Sequence, residues 1–170
     1  MSQLLALLNR LKVGARPDWL TDTQRVAWHD IQQQLRFPER VNLYGPAGVG
    51  KTFLAWALAR QQDAAFFASP AALTRSDFIN EPPRLVIVDN VTGEANDLRR
   101  LLAELQMRQT RSALIITCHP NPIGLPLVHL PLPVSQDIAI VYHNLSLLEH
   151  YALPPRNAGN LWQIIHSTLT

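Results

Sequence analysis

The eight residues Gly45-Pro46-Ala47-Gly48-Val49-Gly50-Lys51-Thr52 hold three glycines, a lysine and a hydroxyl in the order G-x-x-x-x-G-K-T. Each type has a task if the ligand is a chain of phosphates. Glycine lets the backbone take positive φ, so that successive N–H groups converge on one anion. Lys51 brings a positive charge to the β- and γ-phosphates, and the Thr52 hydroxyl offers an oxygen to Mg2+. The segment follows a strand-like run, "RVNLY" (40–44), and leads into a helix-like run, "KTFLAWALARQ" (51–61). A helix beginning near Gly50 adds the positive end of its dipole to the same anion. The plainer reading, a glycine-rich turn with an incidental lysine, accounts for neither the complete spacing nor this context. The expected nucleotide-binding residues are therefore Gly45, Pro46, Ala47, Gly48, Val49, Gly50, Lys51, Thr52 and Phe53.

Such a loop needs a second anchor, an acid that holds the metal from the end of a neighbouring strand. The run "LVIVDN" (85–90) supplies Asp89 after four apolar residues. Ligands of open α/β sheets bind at the carboxyl ends of the strands. An apolar strand that ends in Asp is common by itself, and it gains meaning only beside the loop. The expected metal residues are Thr52 and Asp89. Other constellations are weaker. Cys118 is the only cysteine, so His119 beside it makes no zinc site and no internal disulfide is available. No G-x-S-x-G element supports a serine nucleophile. Trp19, Trp28, Trp56 and Trp162 lack interleaved basic residues and read as packing groups. His143, His150 and His166 fall on helical patterns and are expected to face solvent or partners.

The elements that must position these groups alternate along the chain. A short leucine-faced helix (Leu4, Leu8, Leu11) is expected to cover the core, and a second helix runs from an N-cap at Thr21 to Leu35. Strands are expected at 40–44, 64–68, 84–90 and 112–118, with "LVHL" (127–130) as a fifth. Leu98, Leu101, Leu102 and Leu105 mark a helix between the third and fourth. Helical segments at about 135–152 and 157–169 follow, separated by "LPPRNAG". Buried-type strands alternating with helices mean an α/β three-layer sandwich with a mostly parallel five-stranded sheet.

A chain of 170 residues is one domain with at most a small appendage. The net charge of +2 permits nucleic-acid contact without arguing for it. No apolar run reaches membrane-spanning length, and "MSQLLALLNRLKVGARP" lacks the basic start and cleavage site of a signal peptide. A cytoplasmic protein without membrane partners is expected.

Together, "GPAGVGKT", "LVIVDN" and "LIITCHPNP" resemble the two nucleotide motifs and the sensor strand of AAA+ P-loop ATPases. The stretch "LLAELQMRQTRSALIITCHPNP" is most similar to bacterial replication initiators, helicase loaders and transposition ATPases. The resemblance covers about residues 21–135. It implies sheet order 5-1-4-3-2, a nucleotide-binding domain over residues 1–134 and a reduced helical lid over 135–170. It implies ATP and Mg2+ as cofactors, His119 in the γ-phosphate sensor position, and an adenine pocket near Trp19 or Gln24. Lys51, Asp89, Asn90 and His119 are then the expected catalytic set.

Three departures matter. Asn90 stands where the family has a second acid to polarise water, so slow hydrolysis is expected; Glu94 reads instead as a helix N-terminal acid. The lid arginine is replaced by Trp162. The segment from His119 to Pro133 carries no arginine, which leaves Arg108 and Arg111 as substitutes for the finger that family members insert into a neighbouring subunit. The leading expectation is a slow ATPase or ATP-controlled switch. It would work with a protein partner or by self-association in a DNA transaction such as replication, loading, transposition or defence, gripping DNA through its backbone. The alternatives are a non-hydrolysing, nucleotide-stabilised adaptor and, third, a small-molecule P-loop kinase. The absence of a guanine-reading N-K-x-D element favours ATP over GTP.

Overall fold

The computed structural model describes residues 3–37, 39–76, 82–148 and 160–167. Two helices lead, α1 (Gln3–Gly14) and α2 (Asp22–Gln34), joined through a single 3-10 turn at Pro17–Trp19. Strands and helices then alternate: β1 (Arg40–Tyr44), α3 (Lys51–Gln61), β2 (Ala64–Phe67), α4 (Pro70–Thr74), β3 (Leu85–Val88), α5 (Ala95–Met107), β4 (Ser112–Thr117) and β5 (Leu127–His129). Helices α6 (Ser135–Ser146) and α7 (Leu161–Ser167) follow.

The five strands form one sheet in the order β2-β3-β4-β1-β5, and every neighbouring pair is parallel. The order 5-1-4-3-2 is therefore present, and the sheet is wholly rather than mostly parallel. In the β1–β4 register Tyr44 lies opposite Thr117, and in the β3–β4 register Val88 lies opposite Ile115. The segments that begin at Gly45, Asp89 and Cys118 thus leave the same edge of the sheet. That edge carries the site.

Period-two alternation sorts the strands' side chains between two apolar layers. Leu43, Leu85, Ile87, Leu114 and Ile116 face Trp28 and Ile31 of α2 and Leu54 and Leu58 of α3. Val86, Val88, Ala113 and Ile115 face Leu73 of α4 and Leu98, Leu101 and Leu105 of α5. All four residues of β3 are buried, as a strand covered on both faces requires. Helix α4 is a finding beyond the sequence reading. Ser69 caps it by accepting the Ala72 N–H, and Pro70 opens it, a start signal hidden in "FASPAALT". Arg108 ties the far end of α4 to α5. It donates to the Thr74 and Ser76 carbonyls at 3.1 and 2.7 Å and pairs with Glu104 at 2.6 Å, so as the finger substitute it is already engaged within its own chain.

A third cluster lies beyond the sheet. Leu7 and Leu11 of α1 and Trp19 pack with Leu145 of α6 and Leu161 and Ile164 of α7. Helix α1 therefore covers a core, and that core is shared with the C-terminal helices. Residues 149–159 and 168–170, including His150 and Arg156, lie outside the described residues. Asp137 fixes α6. It is fully buried, accepts the Val134 and Thr23 N–H groups at 2.9 and 3.2 Å, and accepts the Thr23 hydroxyl. Burial pushes its pKa up, but hydrogen bonds from the Thr23 hydroxyl, the two backbone N–H groups and Thr21 outweigh that and hold it below the usual carboxylate range. A carboxylate depressed in the folded state lends stability that is present above its unfolded pKa and lost as pH falls through the folded one. Asp137→Asn is therefore expected to lower the melting temperature at pH 7 and to flatten its decline in acid; melts from pH 7 to pH 3 check this. Among the described residues, no helix is long and apolar enough to cross a membrane.

Candidate functional site

The loop between β1 and α3 is built by what its glycines approach. A Cβ on Gly45 would lie 2.0 Å from the Leu130 carbonyl oxygen, so only glycine lets the chain leave β1 beside the end of β5. Gly50 is the N-cap of α3 with φ 91°, a left-handed conformation that glycine adopts without strain. A Cβ there would also lie 2.3 Å from the Gln24 side-chain nitrogen. Gln24 is the reason for the crowding. Its Oε1 closes the capping box of α2 by accepting the Thr21 N–H at 3.0 Å, while its Nε2 donates to the Gly50 carbonyl at 3.2 Å. One buried amide thus holds the start of α2 against the phosphate-type loop. Val49 is buried in the sheet's core and anchors the middle of the loop, while Pro46 and Ala47 are exposed.

Lys51 and Thr52 open α3. The Lys51 ammonium, on a residue only 8% exposed, donates to the Gly45 and Pro46 carbonyls at 2.6 and 2.7 Å. Burial pulls its pKa below the ordinary lysine value, and the electrostatic influence of Cys118 and Asp89 works the other way. The Thr52 hydroxyl donates to Asp89 Oδ2 at 2.6 Å. Asp89 follows β3, is 4% exposed, and uses its other oxygen to accept the Asn90 N–H at 2.7 Å. A hydroxyl and a carboxylate in contact, beside a lysine and a glycine loop, form a donor set suited to a hard divalent cation together with phosphate oxygens.

Asn90 has φ 53°, which asparagine tolerates better than most residues, and its side-chain nitrogen donates to the Ala68 carbonyl at 2.9 Å. It borders the cleft, yet its amide is engaged with the end of β2. Glu94 is the exposed N-cap of α5, outside the cleft lining, and makes no side-chain capping bond. From β4 the cleft receives Thr117 and Cys118, while the His119 side chain is exposed and does not line it. His119 contributes its carbonyl, which accepts the Thr117 hydroxyl at 2.6 Å. Thr117 in turn accepts from Asn42 Nδ2 at 2.9 Å, and Asn42 Oδ1 accepts the Asn121 N–H at 3.0 Å. Asn42 is fully buried in β1, so this network fixes the end of β4 from beneath.

The resulting cleft has a volume of about 490 Å³ and two distinct ends. The loop, Lys51, Thr52, Asp89 and Thr117 make a polar floor. Leu8 and Leu11 of α1, Phe53 and Trp56 of α3, and Trp162 and Ile165 of α7 make an apolar wall. The Trp162 N–H donates to the Gly48 carbonyl at 3.3 Å, which sets α7 directly against the loop. Trp19 and Gln24 line a smaller neighbouring cavity of about 60 Å³ that shares Leu11, Gly50 and Phe53 with the main cleft. Sequence reasoning did not place α1, Trp162, Thr117 or Cys118 in the site. For Thr117 a signal existed: the last residue of a strand that ends at the ligand edge points where the neighbouring loop begins.

No curated protein sequence matches the chain. A family model described as "ATPase family associated with various cellular activities (AAA)" matches residues 41–117, the stretch from β1 to the end of β4. Among solved structures, a DNA replication initiation factor aligns at 15% identity and TM-score 0.54, covering 82% of this chain and 56% of that one. The replication initiator DnaA bound to AMPPCP and single-stranded DNA aligns at 14% identity and TM-score 0.54, covering 85% of this chain and 58% of its own. These likenesses are of fold, and the chain spans a little over half the length of each.

Proposed function

We propose that the chain is a P-loop domain of the AAA+ type that binds ATP with Mg2+ and acts as an ATP-controlled switch, a reading supported by the family model over residues 41–117 and by the fold likeness to replication initiators. The observation that carries this reading is the 2.6 Å contact of Thr52 with Asp89 at the mouth of the glycine loop. In this reading the loop's N–H groups and Lys51 take the phosphates, while Thr52 and Asp89 hold the metal. Bound Mg2+ would neutralise charge between the outer phosphates and orient them. The core shared by α1, α6 and α7, together with the α1 and α7 residues that line the cleft, supports a coupling of nucleotide occupancy to the placement of these helices. The setting would be a DNA transaction in the cytoplasm, with a protein partner or further copies of the chain. The fold resemblance and the mildly basic composition support that setting. Contact with DNA through its phosphates would make binding fall steeply with salt. Solution mass with ATP–Mg2+ and with ADP, each with and without DNA, tests the switch: a nucleotide-dependent change in mass or DNA affinity supports it, and identical behaviour in all four conditions contradicts it.

Turnover is expected to be slow. Among the described residues that line the cleft, Asp89 is the only carboxylate, and it is committed to Thr52. Asn90 can orient a water but cannot accept its proton. The same observation favours the adaptor as second reading, in which ATP stabilises a docking module without being consumed. Asn90→Glu separates the two. The longer side chain leaves the Ala68 carbonyl and brings a base to the cleft, at a cost of about 1 kcal/mol for the left-handed backbone. A rise in turnover of about tenfold or more is expected, well inside the usual contribution of a general base. An unchanged rate places water activation elsewhere.

A further inference from the structure

The glycines that shape the phosphate-type loop also leave its peptides free to turn. The peptide between Gly50 and Lys51 is held by its carbonyl. That oxygen accepts the Leu54 N–H at 3.1 Å, the bond that opens α3, and the Gln24 Nε2–H at 3.2 Å. A trans peptide sets its N–H opposite its C=O. With the carbonyl pinned in this way, the Lys51 N–H leaves the N-terminal end of α3, the side on which an anion is received. Gln24 is itself held at both ends. It is 2% exposed, and its Oε1 accepts the Thr21 N–H at 3.0 Å, so the amide cannot turn over without losing both bonds. Thr21 and Thr23 lie at the start of α2 with their hydroxyl oxygens 3.4 Å apart. Thr23 gives its N–H and its hydroxyl to Asp137, which is fully buried in the first turn of α6. A continuous run of hydrogen bonds thus joins α6, the cap of α2 and the Gly50–Lys51 peptide.

We infer that Gln24 positions the phosphate loop and makes affinity for a triphosphate depend on how α6 is anchored at Asp137. The inference rests on the nucleotide-binding reading above and deepens it by naming the contact that links loop and helix. As a positioning residue Gln24 acts through the backbone of the loop. Members of one buried hydrogen-bond network are coupled, so the loss of one changes what the others hold. Asp137 lies outside the cleft lining, so any effect of its substitution on phosphate binding has to pass through the protein.

Calorimetric titrations in Mg2+ with ATP and with inorganic triphosphate test this, on the wild type, Gln24→Met, Asp137→Asn and the double variant, each well below its melting temperature. Methionine keeps the length of the side chain and loses both hydrogen bonds. Gln24→Met is expected to weaken ATP and inorganic triphosphate alike by about tenfold, within the worth of the lost hydrogen bonds. Asp137→Asn is expected to weaken both ligands by about threefold. In the Gln24→Met background it is expected to add nothing, because the connection is already cut. A merely structural role for Gln24 would lower the melting temperature and leave both affinities unchanged, and that result overturns the inference. So does a loss confined to ATP, which would set Gln24 against the base. An additive loss in the double variant also overturns it, since Asp137 would then act by a separate route. Should Gln24→Met fail to fold, Asp137→Asn decides: the threefold loss supports the inference, and an unchanged affinity for inorganic triphosphate overturns it. These results leave the phosphate site standing so long as Lys51→Ala abolishes binding of inorganic triphosphate. If neither ligand binds the wild type, the nucleotide-binding reading falls, and this inference falls with it.

Discussion

Lys51→Ala is expected to abolish ATP binding while leaving the fold intact. The lysine is buried, and its ammonium donates to the Gly45 and Pro46 carbonyls. Those carbonyls belong to the loop, and the charge they hold is the one cation at the polar floor of the cleft among the described residues. A hydrogen bond to a charged group is worth about 1.5–3 kcal/mol, so losing contacts to two phosphates lowers affinity by on the order of a hundredfold or more. The melting temperature should move little, because burial already disfavours the charged lysine, as the lowering of its pKa shows. That lowering has a further consequence. A triphosphate beside the amine restores the charged form, so binding above the free lysine's pKa takes up a proton and weakens as pH rises further. Titrations in two buffers of different ionisation enthalpy would show that uptake in the wild type and not in Lys51→Ala.

Asp89→Asn is expected to remove the response of ATP binding to magnesium. With the amide oxygen in the place of Oδ1 it still accepts the Asn90 N–H, and the amide nitrogen, in the place of Oδ2, can donate to the Thr52 hydroxyl oxygen, so the turn after β3 keeps its local bonds with the second one reversed. The negative charge that would hold a divalent cation is gone. In the wild type Mg2+ is expected to raise ATP affinity by about tenfold or more, since Thr52 and Asp89 would hold the metal and its charge would favour the phosphates. In Asp89→Asn that ratio should approach about one, with metal-free affinity equal or higher because a charge facing the phosphates has been lost. Thr52→Ala should act in the same direction with a smaller effect, because a neutral hydroxyl contributes less than a carboxylate. A Mg2+ response that survives in Asp89→Asn places the metal elsewhere.

What the sequence made legible was local chemistry and periodicity. The loop is a run of eight residues whose types explain one another, and Asp89 stands out because four apolar residues carry it to a strand end. The strand order follows from strand–helix alternation only with the help of family resemblance, since composition alone does not say that β4 enters beside β1. What stayed hidden was separation along the chain. Gln24 supports Gly50 from 26 positions away, and Asn144 of α6 donates to the Trp19 carbonyl from 125 positions away. No spacing rule connects such pairs. Helix α1 offered a leucine face and so a core role, but not the fact that its Leu8 and Leu11 would also wall the cleft. In the sensor strand the difference is two residues. The resemblance pointed to His119, and the strand's register delivers Thr117 to the cleft, with His119 turned outward and bonded through its carbonyl.

The account stands on the convergence of the glycine loop, Lys51, Thr52 and Asp89 on one metal-bound triphosphate. Calorimetric titration of the wild-type chain with ATP, in Mg2+ and then in excess chelator, examines that convergence directly. The account predicts one saturable site in Mg2+ and an affinity about tenfold or more weaker without the metal. Absence of binding at millimolar ATP, or an affinity indifferent to Mg2+, would contradict it.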